Sequence, residues 1–479
     1  MKVLVMEPPN QQLPIDTARP NGSLGPAYLV GALRAAGVEA DYYDGTVGWE
    51  GDDLKDTFYN RVEQENGLVR YGASKERLAE VISKYDVIAT SSIFSAQTRM
   101  HFEIADIVKR VEKERGKRIL LMSGGVNACA LRNLFLHRGF NSVTCGGNGE
   151  IEIVSSLISA NWVYHPELDV LALPALDALP LKTYQTLGIP HAGVMPKGTK
   201  FASIQTSRGC QDRCSFCHIS TEKEHGYGFL RSFSPARIKE YVDYAISLGI
   251  QRLYFEDDNL FFNKRRLYEL APILKRDGLE YSNVNGGNLR FLFKNGEVDH
   301  DFINMLRDFG LAELVLPFES RSSRIMKQYA TGKYDPDIMD SKALVRALKD
   351  AGIRLAGNFM IGFKDEPWES ILQTKEFAKE LMQEGLDAVG FMIPVPYPGS
   401  LDFQNLMQDQ ALKESFNLNP LAFTDRMHWR AKPLFPTVVD GDRLQAAVEE
   451  FWHELNSNEY VQHHIGRNTG HERAKYTQV

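Results

Sequence analysis

The sequence predicts an α/β protein made of two parallel-sheet halves and a C-terminal extension. Three observations carry this. Residues 1–155 alternate short apolar runs with helix-length amphipathic segments, as a doubly wound, Rossmann-like (flavodoxin-like) sheet does. From about residue 197 to 402 the strand–helix unit recurs six times, the count of a partial (β/α)6 TIM-type barrel. Directly after the first strand of that second half stand Cys210, Cys214 and Cys217, spaced Cx3Cx2C.

In the first half, 2–6 reads as a buried strand that ends at Glu7-Pro8-Pro9. A helix over 25–36 stops at Gly37, and 38–43 is the second strand. The third strand, 85–90, leads to a helix over 95–114. The fourth, 118–122, runs into Ser123-Gly124-Gly125. A helix near 130–138 precedes the strand 142–144 and the turn Cys145-Gly146-Gly147-Asn148-Gly149-Glu150. Glycine-rich turns thus follow the strands at the end where open α/β sheets take ligands. Any one of these glycines is also explained by a tight βα turn. No Gly-x-Gly-x-x-Gly follows the first strand, which argues against a dinucleotide cofactor.

Residues 156–196, punctuated by Pro174 and Pro180, read as a linker. Strand candidates of the second half are 201–206, 252–256, 281–285, 313–318, 354–361 and 388–393. Ser234-Pro235 starts a helix with a cap and then proline in the first turn. Ile238, Tyr241, Val242, Ala245 and Leu248 form its apolar stripe before Gly249. Residues 403–479 form an extension that would cap the barrel mouth or simply pack. Its His463, His464 and His471 read as a frayed polar end.

Parallel barrels keep their chemistry at the C-terminal strand ends, and the polar motifs fall there. Three thiols on one loop are one fewer than the four that saturate structural zinc or an iron–sulfur cluster. A four-iron cluster held this way keeps one iron open to bind and reduce a small molecule. The competing reading is a zinc knuckle with His218 or His225 as fourth ligand, although zinc sites usually come as paired CxxC units. Cys129 and Cys145 are too few for a second such cluster. Glu256-Asp257-Asp258-Asn259 follows the second strand; its acids suit either a solvated turn or a cationic ligand group.

The cysteine loop, with Phe216 before its last thiol, resembles the radical S-adenosylmethionine (SAM) superfamily. With the N-terminal turns, the chain resembles its B12-binding (cobalamin-dependent) members, of the class B methyltransferase type, over residues 1 to about 402. The resemblance implies that Cys210, Cys214 and Cys217 hold a [4Fe-4S] cluster whose open iron chelates SAM. Asp257 or Asp258 would meet the SAM amino group, with Glu256 a weaker candidate. Glu319 and Ser320 lie in Pro317-Phe318-Glu319-Ser320, where the family has Gly-Ile-Glu-Ser, and would contact the ribose and methionine portion. Phe216 would pack beside adenine, as would the strand around Asn358; Arg290 would meet the SAM carboxylate or make a surface salt bridge. The chain has Lys364-Asp365-Glu366-Pro367 where the family continues Pro-Gly-Glu, and Pro396-Tyr397-Pro398-Gly399-Ser400 close to its Pro-Tyr-Pro-Gly-Thr.

For cobalamin the resemblance implies contacts from Pro9, Ser23, Leu24, Gly25, Ser123, Gly124, Gly125, Gly147, Gly149 and Glu150, with side-chain-free backbone admitting the nucleotide tail. The chain lacks an Asp-x-His-x-x-Gly motif and has no histidine in residues 1–100, so no lower axial imidazole is expected from these turns.

A net charge of −7 argues against a nucleic-acid protein with a general basic surface. No apolar run reaches membrane-spanning length and the N-terminus reads as a strand, not a signal peptide. Five cysteines, three in one motif, fit a reducing compartment, so a cytoplasmic protein is expected. The resemblance implies methylation of an unactivated carbon of a small-molecule substrate through a 5′-deoxyadenosyl radical and methylcobalamin, with an external electron donor of flavodoxin or ferredoxin type. Two alternatives stand beside it: the same cofactors used for a rearrangement, ring contraction or cyclisation, and a non-enzymatic cobalamin- or zinc-binding sensor.

Overall fold

A computed structural model describes all residues except 15, 17, 21, 23, 146, 159–164, 189–197, 220–229 and 457–479. The chain forms two compact units. Among the described residues, the first comprises those of Met1–Ser203 and Asp409–Asp425; the second comprises those of Ile204–Gln408 and 426–456.

The first unit is built on five strands, Lys2–Glu7, Glu39–Asp44, Val87–Ser91, Leu120–Gly124 and Ser142–Val143. Their spatial order is second, first, third, fourth, fifth, and every pairing is parallel, which is the flavodoxin-like order. The opening strand is buried from Val3 through Glu7, as expected of a strand covered on both faces. Leu4, Met6, Ile88 and Leu121 pack with Phe102, Val108 and Phe135 in one core. The helix read over 130–138 is instead two, Val126–Ala130 and Arg132–Arg138, because Leu131 takes a non-helical φ of −108° between them. A small antiparallel sheet of Asn10–Gln12, Arg61–Glu63 and Val69–Tyr71 escaped the sequence reading. Three-residue strands are too short to show a period of two.

The described part of 156–196 is packed into this unit. Leu168, Leu171, Leu176 and Tyr184 are buried. The Ala175 N–H donates to the Ala27 carbonyl at 2.9 Å, and the Tyr184 hydroxyl to Asp44 at 2.6 Å. The helix Leu24–Ala35 comes so close that a Cβ on Gly31 would lie 2.1 Å from the Leu173 carbonyl oxygen.

A six-stranded sheet takes its strands in chain order, the first at the boundary of the two units and the rest in the second: Phe201–Ile204, Arg252–Phe255, Glu280–Asn283, Leu311–Glu319, Arg354–Met360 and Ala388–Met392. From the second strand to the sixth each pairing is parallel. The helix Pro235–Ser247 begins as its sequence requires: the Ser234 side chain accepts from the Arg237 N–H at 3.1 Å, and Ile238, Tyr241, Val242 and Ala245 are buried. The sixth strand is an edge, and the C-terminal extension covers it. The Asn456 amide accepts from the Val389 N–H at 2.9 Å and donates to the Val389 carbonyl at 2.8 Å. The Trp429 carbonyl accepts from the Ile393 N–H at 2.7 Å. Backbone groups that would otherwise offer a template for pairing are thereby satisfied. No helix among the described residues is long and apolar enough to cross a membrane.

Candidate active site

The cysteine loop leaves the first strand of the six-stranded sheet and is held from three sides. The Ser215 N–H donates to the Tyr329 carbonyl at 2.8 Å, and the Ser215 carbonyl accepts from the Asp402 N–H at 3.0 Å. Asp212 is tied to Asn288 at 2.7 Å and to Arg290 at 3.3 Å. Cys214 is buried, and Cys210 and Cys217 are half-buried. Burial pushes all three thiols up, Cys214 to about 12 and Cys217 to about 11, and each also feels a neighbouring thiol or carboxylate. Three cysteines on one loop, each within electrostatic reach of another thiol or a carboxylate, are a donor set that fits a cluster carrying one cysteine per iron.

The acidic turn divides its work. Asp257 is fully buried and consumed within the protein: its oxygens accept from the Thr206 N–H at 2.9 Å, the Thr206 hydroxyl at 2.7 Å and the Ser207 hydroxyl at 2.5 Å. It braces the start of the cysteine loop. Asp258 accepts from the Gly209 N–H at 2.6 Å, and burial raises its carboxyl to about 6, with Asp257 and Glu256 adding to the rise. Its charge also reaches Cys210 and Cys217. Of the two aspartates, Asp258 is the one beside the thiols.

The fourth strand ends in a distortion. Its register against the fifth slips between Pro317 and Glu319, and Glu319 has a φ of +60°, one of two positive values among the described non-glycine residues. Bulges re-aim side chains next to active sites, and a left-handed φ outside glycine costs of order 1–3 kcal/mol. Here the distortion turns the Glu319 carboxylate onto the Lys333 ammonium. Lys333 also sits 5.6 Å from the Phe216 ring centroid and lowers the Cys214 and Cys217 thiols. Sequence reasoning missed Lys333, which stands in Thr331-Gly332-Lys333 beyond a short helix with no pattern to mark it.

The other candidates separate. Phe216 packs on Phe363 at 6.2 Å, within an apolar cluster with Ile325, Met360 and Tyr329. Ser320 is fully buried, and its hydroxyl meets the Ser322 N–H and Thr374. Asn358 is half-buried on the fifth strand, 3.3 Å from where a Gly390 Cβ would be. Arg290 points its guanidinium at Asp212 and at the Gly332 carbonyl, 2.6 Å away.

In the first unit, Ser123, Gly124 and Gly125 close the fourth strand, and Gly149 and Glu150 begin the helix Gly149–Leu157, with Gly147 in the preceding turn. Pro9 is buried, and Leu24 and Gly25 open the first helix; Ser23 lies outside the described residues. Packing within the fold explains two of these glycines. A Cβ on Gly124 would meet the Thr144 hydroxyl at 2.4 Å, and one on Gly125 the Ser92 carbonyl at 2.5 Å. Gly149 differs, since among the described residues a Cβ there would meet nothing within 4 Å. His101, the first histidine of the chain, is buried with Nδ1 3.1 Å from the Thr90 hydroxyl.

Residues 204–378 match the radical SAM superfamily. The chain is 28% identical over 236 residues to an uncharacterized methyltransferase of Pyrococcus horikoshii, which covers 49% of this chain and 46% of that protein. It thus spans about half the length of that relative. It is 22% identical over 516 residues to the cytidylyl-2-hydroxyethylphosphonate methyltransferase of Streptomyces wedmorensis, covering 95% of this chain and 90% of the relative. The solved structure of the radical S-adenosylmethionine methyltransferase TsrM of Kitasatospora setae, with cobalamin and a [4Fe-4S] cluster bound, aligns with a TM-score of 0.56 over 85% of this chain and 75% of that one. At 15% identity that likeness is one of fold.

Proposed function

We propose that this chain, a member of the radical SAM superfamily, is a cobalamin-dependent enzyme that methylates an unactivated carbon of a small metabolite. One observation carries the reading: three thiols on one loop lie within electrostatic reach of a carboxylate, Asp258, and an ammonium, Lys333, borne on loops that follow other strands. The amino-acid end of SAM bears an ammonium and a carboxylate. Asp258 suits the first and Lys333 the second, as charge-assisted partners. The Phe216–Phe363 pair offers adenine an apolar surface. Glu319 keeps Lys333 in place, and Asp257 fixes the loop from which Cys210 springs.

When bound, the cluster with SAM would supply a 5′-deoxyadenosyl radical and cobalamin a transferable methyl group. The protein's share is positioning and desolvation. Cys210, Cys214 and Cys217 would hold the cluster as thiolates, and Lys333 favours the thiolates of Cys214 and Cys217. The likeness to the Streptomyces methyltransferase over nearly the whole chain supports methyl transfer and a small substrate. In this reading residues 1–155 take cobalamin, with the nucleotide tail passing Gly149. Residues 197–402 take the cluster and SAM, and a flavodoxin- or ferredoxin-type donor supplies the electron.

Anaerobic reconstitution tests the foundation. About four irons and four sulfides per chain are expected, lost in Cys210→Ala; a single bound zinc would overturn it. Turnover should release S-adenosylhomocysteine and 5′-deoxyadenosine with a product heavier by one methyl group. 5′-Deoxyadenosine without methyl gain would assign a rearrangement instead.

A further inference from the structure

We infer that Asp212, Asn288 and Arg290 form a clamp that positions the cysteine loop against the loop bearing Lys333, and that Arg290 is a positioning residue and not a contact of SAM. This rests on the reading of the three thiols as cluster ligands.

Asp212 sits inside the cysteine motif, where a packed apolar residue would serve a tight loop equally well. Its side chain is only 5% exposed. A carboxylate so placed needs partners, and it has them from the loop after the third strand. The Asn288 amide donates to one oxygen at 2.7 Å, and the Arg290 guanidinium approaches the other at 3.3 Å. The same two side chains also hold the Lys333 loop. Asn288 donates to the Gly332 carbonyl at 2.9 Å, Arg290 to the same carbonyl at 2.6 Å, and the Arg290 backbone N–H to the Lys333 carbonyl at 3.2 Å. On the remaining side the Asn288 N–H donates to the Asn259 side chain at 3.3 Å, in the acidic turn. Loops after the first four strands are therefore tied together through Asn288 and Arg290, with the buried Asp212 carboxylate as one anchor. Gly332 makes the closure possible: its φ is +88°, and a Cβ there would lie 3.1 Å from Arg290 Nη1 and 3.2 Å from Asp212 Oδ1. With Nη1 on the Gly332 carbonyl and Nη2 on Asp212, Arg290 fixes where the Lys333 loop stands.

The test uses full-length chain in two states. In metal-free, reduced protein, the alkylation rate of Cys217, which lies on the same loop without touching Asp212, is read relative to Cys129 by mass spectrometry. Asp212→Ala and Arg290→Ala should each raise the ratio about tenfold, and the double variant should raise it no further. In reconstituted protein, SAM affinity is read from the SAM-induced change in the cluster's EPR spectrum. Both single variants should weaken SAM about tenfold, the double variant no more than either, and Asp212→Asn should fall between wild type and Asp212→Ala. Wild-type alkylation ratios in all variants overturn the clamp. So does SAM binding that is weakened by Arg290→Ala and untouched by Asp212→Ala, or losses that multiply in the double variant, since Arg290 would then act on SAM directly. Should wild-type protein take up no cluster, the reading of the thiols fails, while the alkylation series still decides the clamp.

Discussion

Replacing Lys333 with methionine keeps an unbranched apolar stem one atom shorter and removes the charge. Glu319, whose side chain is 6% exposed, then loses the ammonium that faces it. Leaving one member of a buried ion pair unmatched costs about 3–5 kcal/mol when both are fully desolvated. The Lys333 side chain is 22% exposed, so the low end applies, about 3 kcal/mol. Neutralising its partner as well, in Lys333→Met/Glu319→Gln, removes the stranded charge and should recover most of that loss. SAM affinity should behave differently. A charge-assisted hydrogen bond contributes about 2 kcal/mol, or roughly 30-fold in affinity, and the added Glu319→Gln change supplies no cation to restore it. Guanidinium unfolding of the metal-free, reduced chain gives the first quantity. SAM titration of the reduced, reconstituted enzyme by EPR gives the second. A double variant as unstable as Lys333→Met would refute the pairing with Glu319. Unchanged SAM affinity would remove Lys333 from the carboxylate site.

Three further outcomes follow from the packing. Gly31→Ala forces a Cβ to within 2.1 Å of the Leu173 carbonyl, and overpacking of this kind costs about 1–3 kcal/mol; an unchanged melting temperature would mean that 171–179 does not dock on that helix. Asn456→Ala strands the Val389 N–H and carbonyl, at about 1–3 kcal/mol; hydrogen exchange at Val389 should quicken, and protection equal to wild type would contradict the edge contact. His101 gives the pH dependence. Burial lowers its pKa from 6.5 to about 3, so between those values the unfolded chain binds a proton that the folded chain refuses. Its contribution to stability is complete above pH 6.5 and is lost as pH falls, about 2 kcal/mol of it by pH 5. In His101→Gln the slope of unfolding free energy between pH 7 and 5 should flatten by that amount; an identical slope would exclude the imidazole.

The sheets were legible because their signals are repetitive. Val3, Leu4, Val5 and Met6 can only be a strand covered on both faces, and Ser234-Pro235 ahead of a 3.6-residue stripe is a helix start with a mechanism. What escaped has no period to detect. The strands Asn10–Gln12 and Arg61–Glu63 are three residues long, and the break at Leu131 interrupts a segment whose composition reads as continuous helix. The segment 156–196 looked like a linker from its prolines. Its leucines, however, are the residues that bury against the first unit, and proline is compatible with a docked irregular segment as readily as with a spacer.

Site residues divide along a different line. Cys210, Cys214 and Cys217 stand out as candidate ligands because cluster chemistry would place three thiols at such spacing on one loop. The acids of 256–258 were visible as a group, yet sequence could not tell that Asp257 spends both oxygens on Thr206 and Ser207 while Asp258 stands beside the thiols. Lys333 and Asp212 were not visible as partners at all. Their roles depend on pairings 14 residues apart, to Glu319, and 76 residues apart, to Asn288, and a barrel brings such positions together only by aligning its strand ends. The backbone distortion at Glu319 belongs to the same class: Phe318-Glu319-Ser320 contains no glycine to advertise a left-handed φ, and the value of +60° is imposed by neighbours. Strain held at the carboxylate that faces Lys333 is costly for a residue with only a structural task. It is intelligible if the direction of that ammonium, set by Glu319 on one side and the Gly332 turn on the other, is what the site requires.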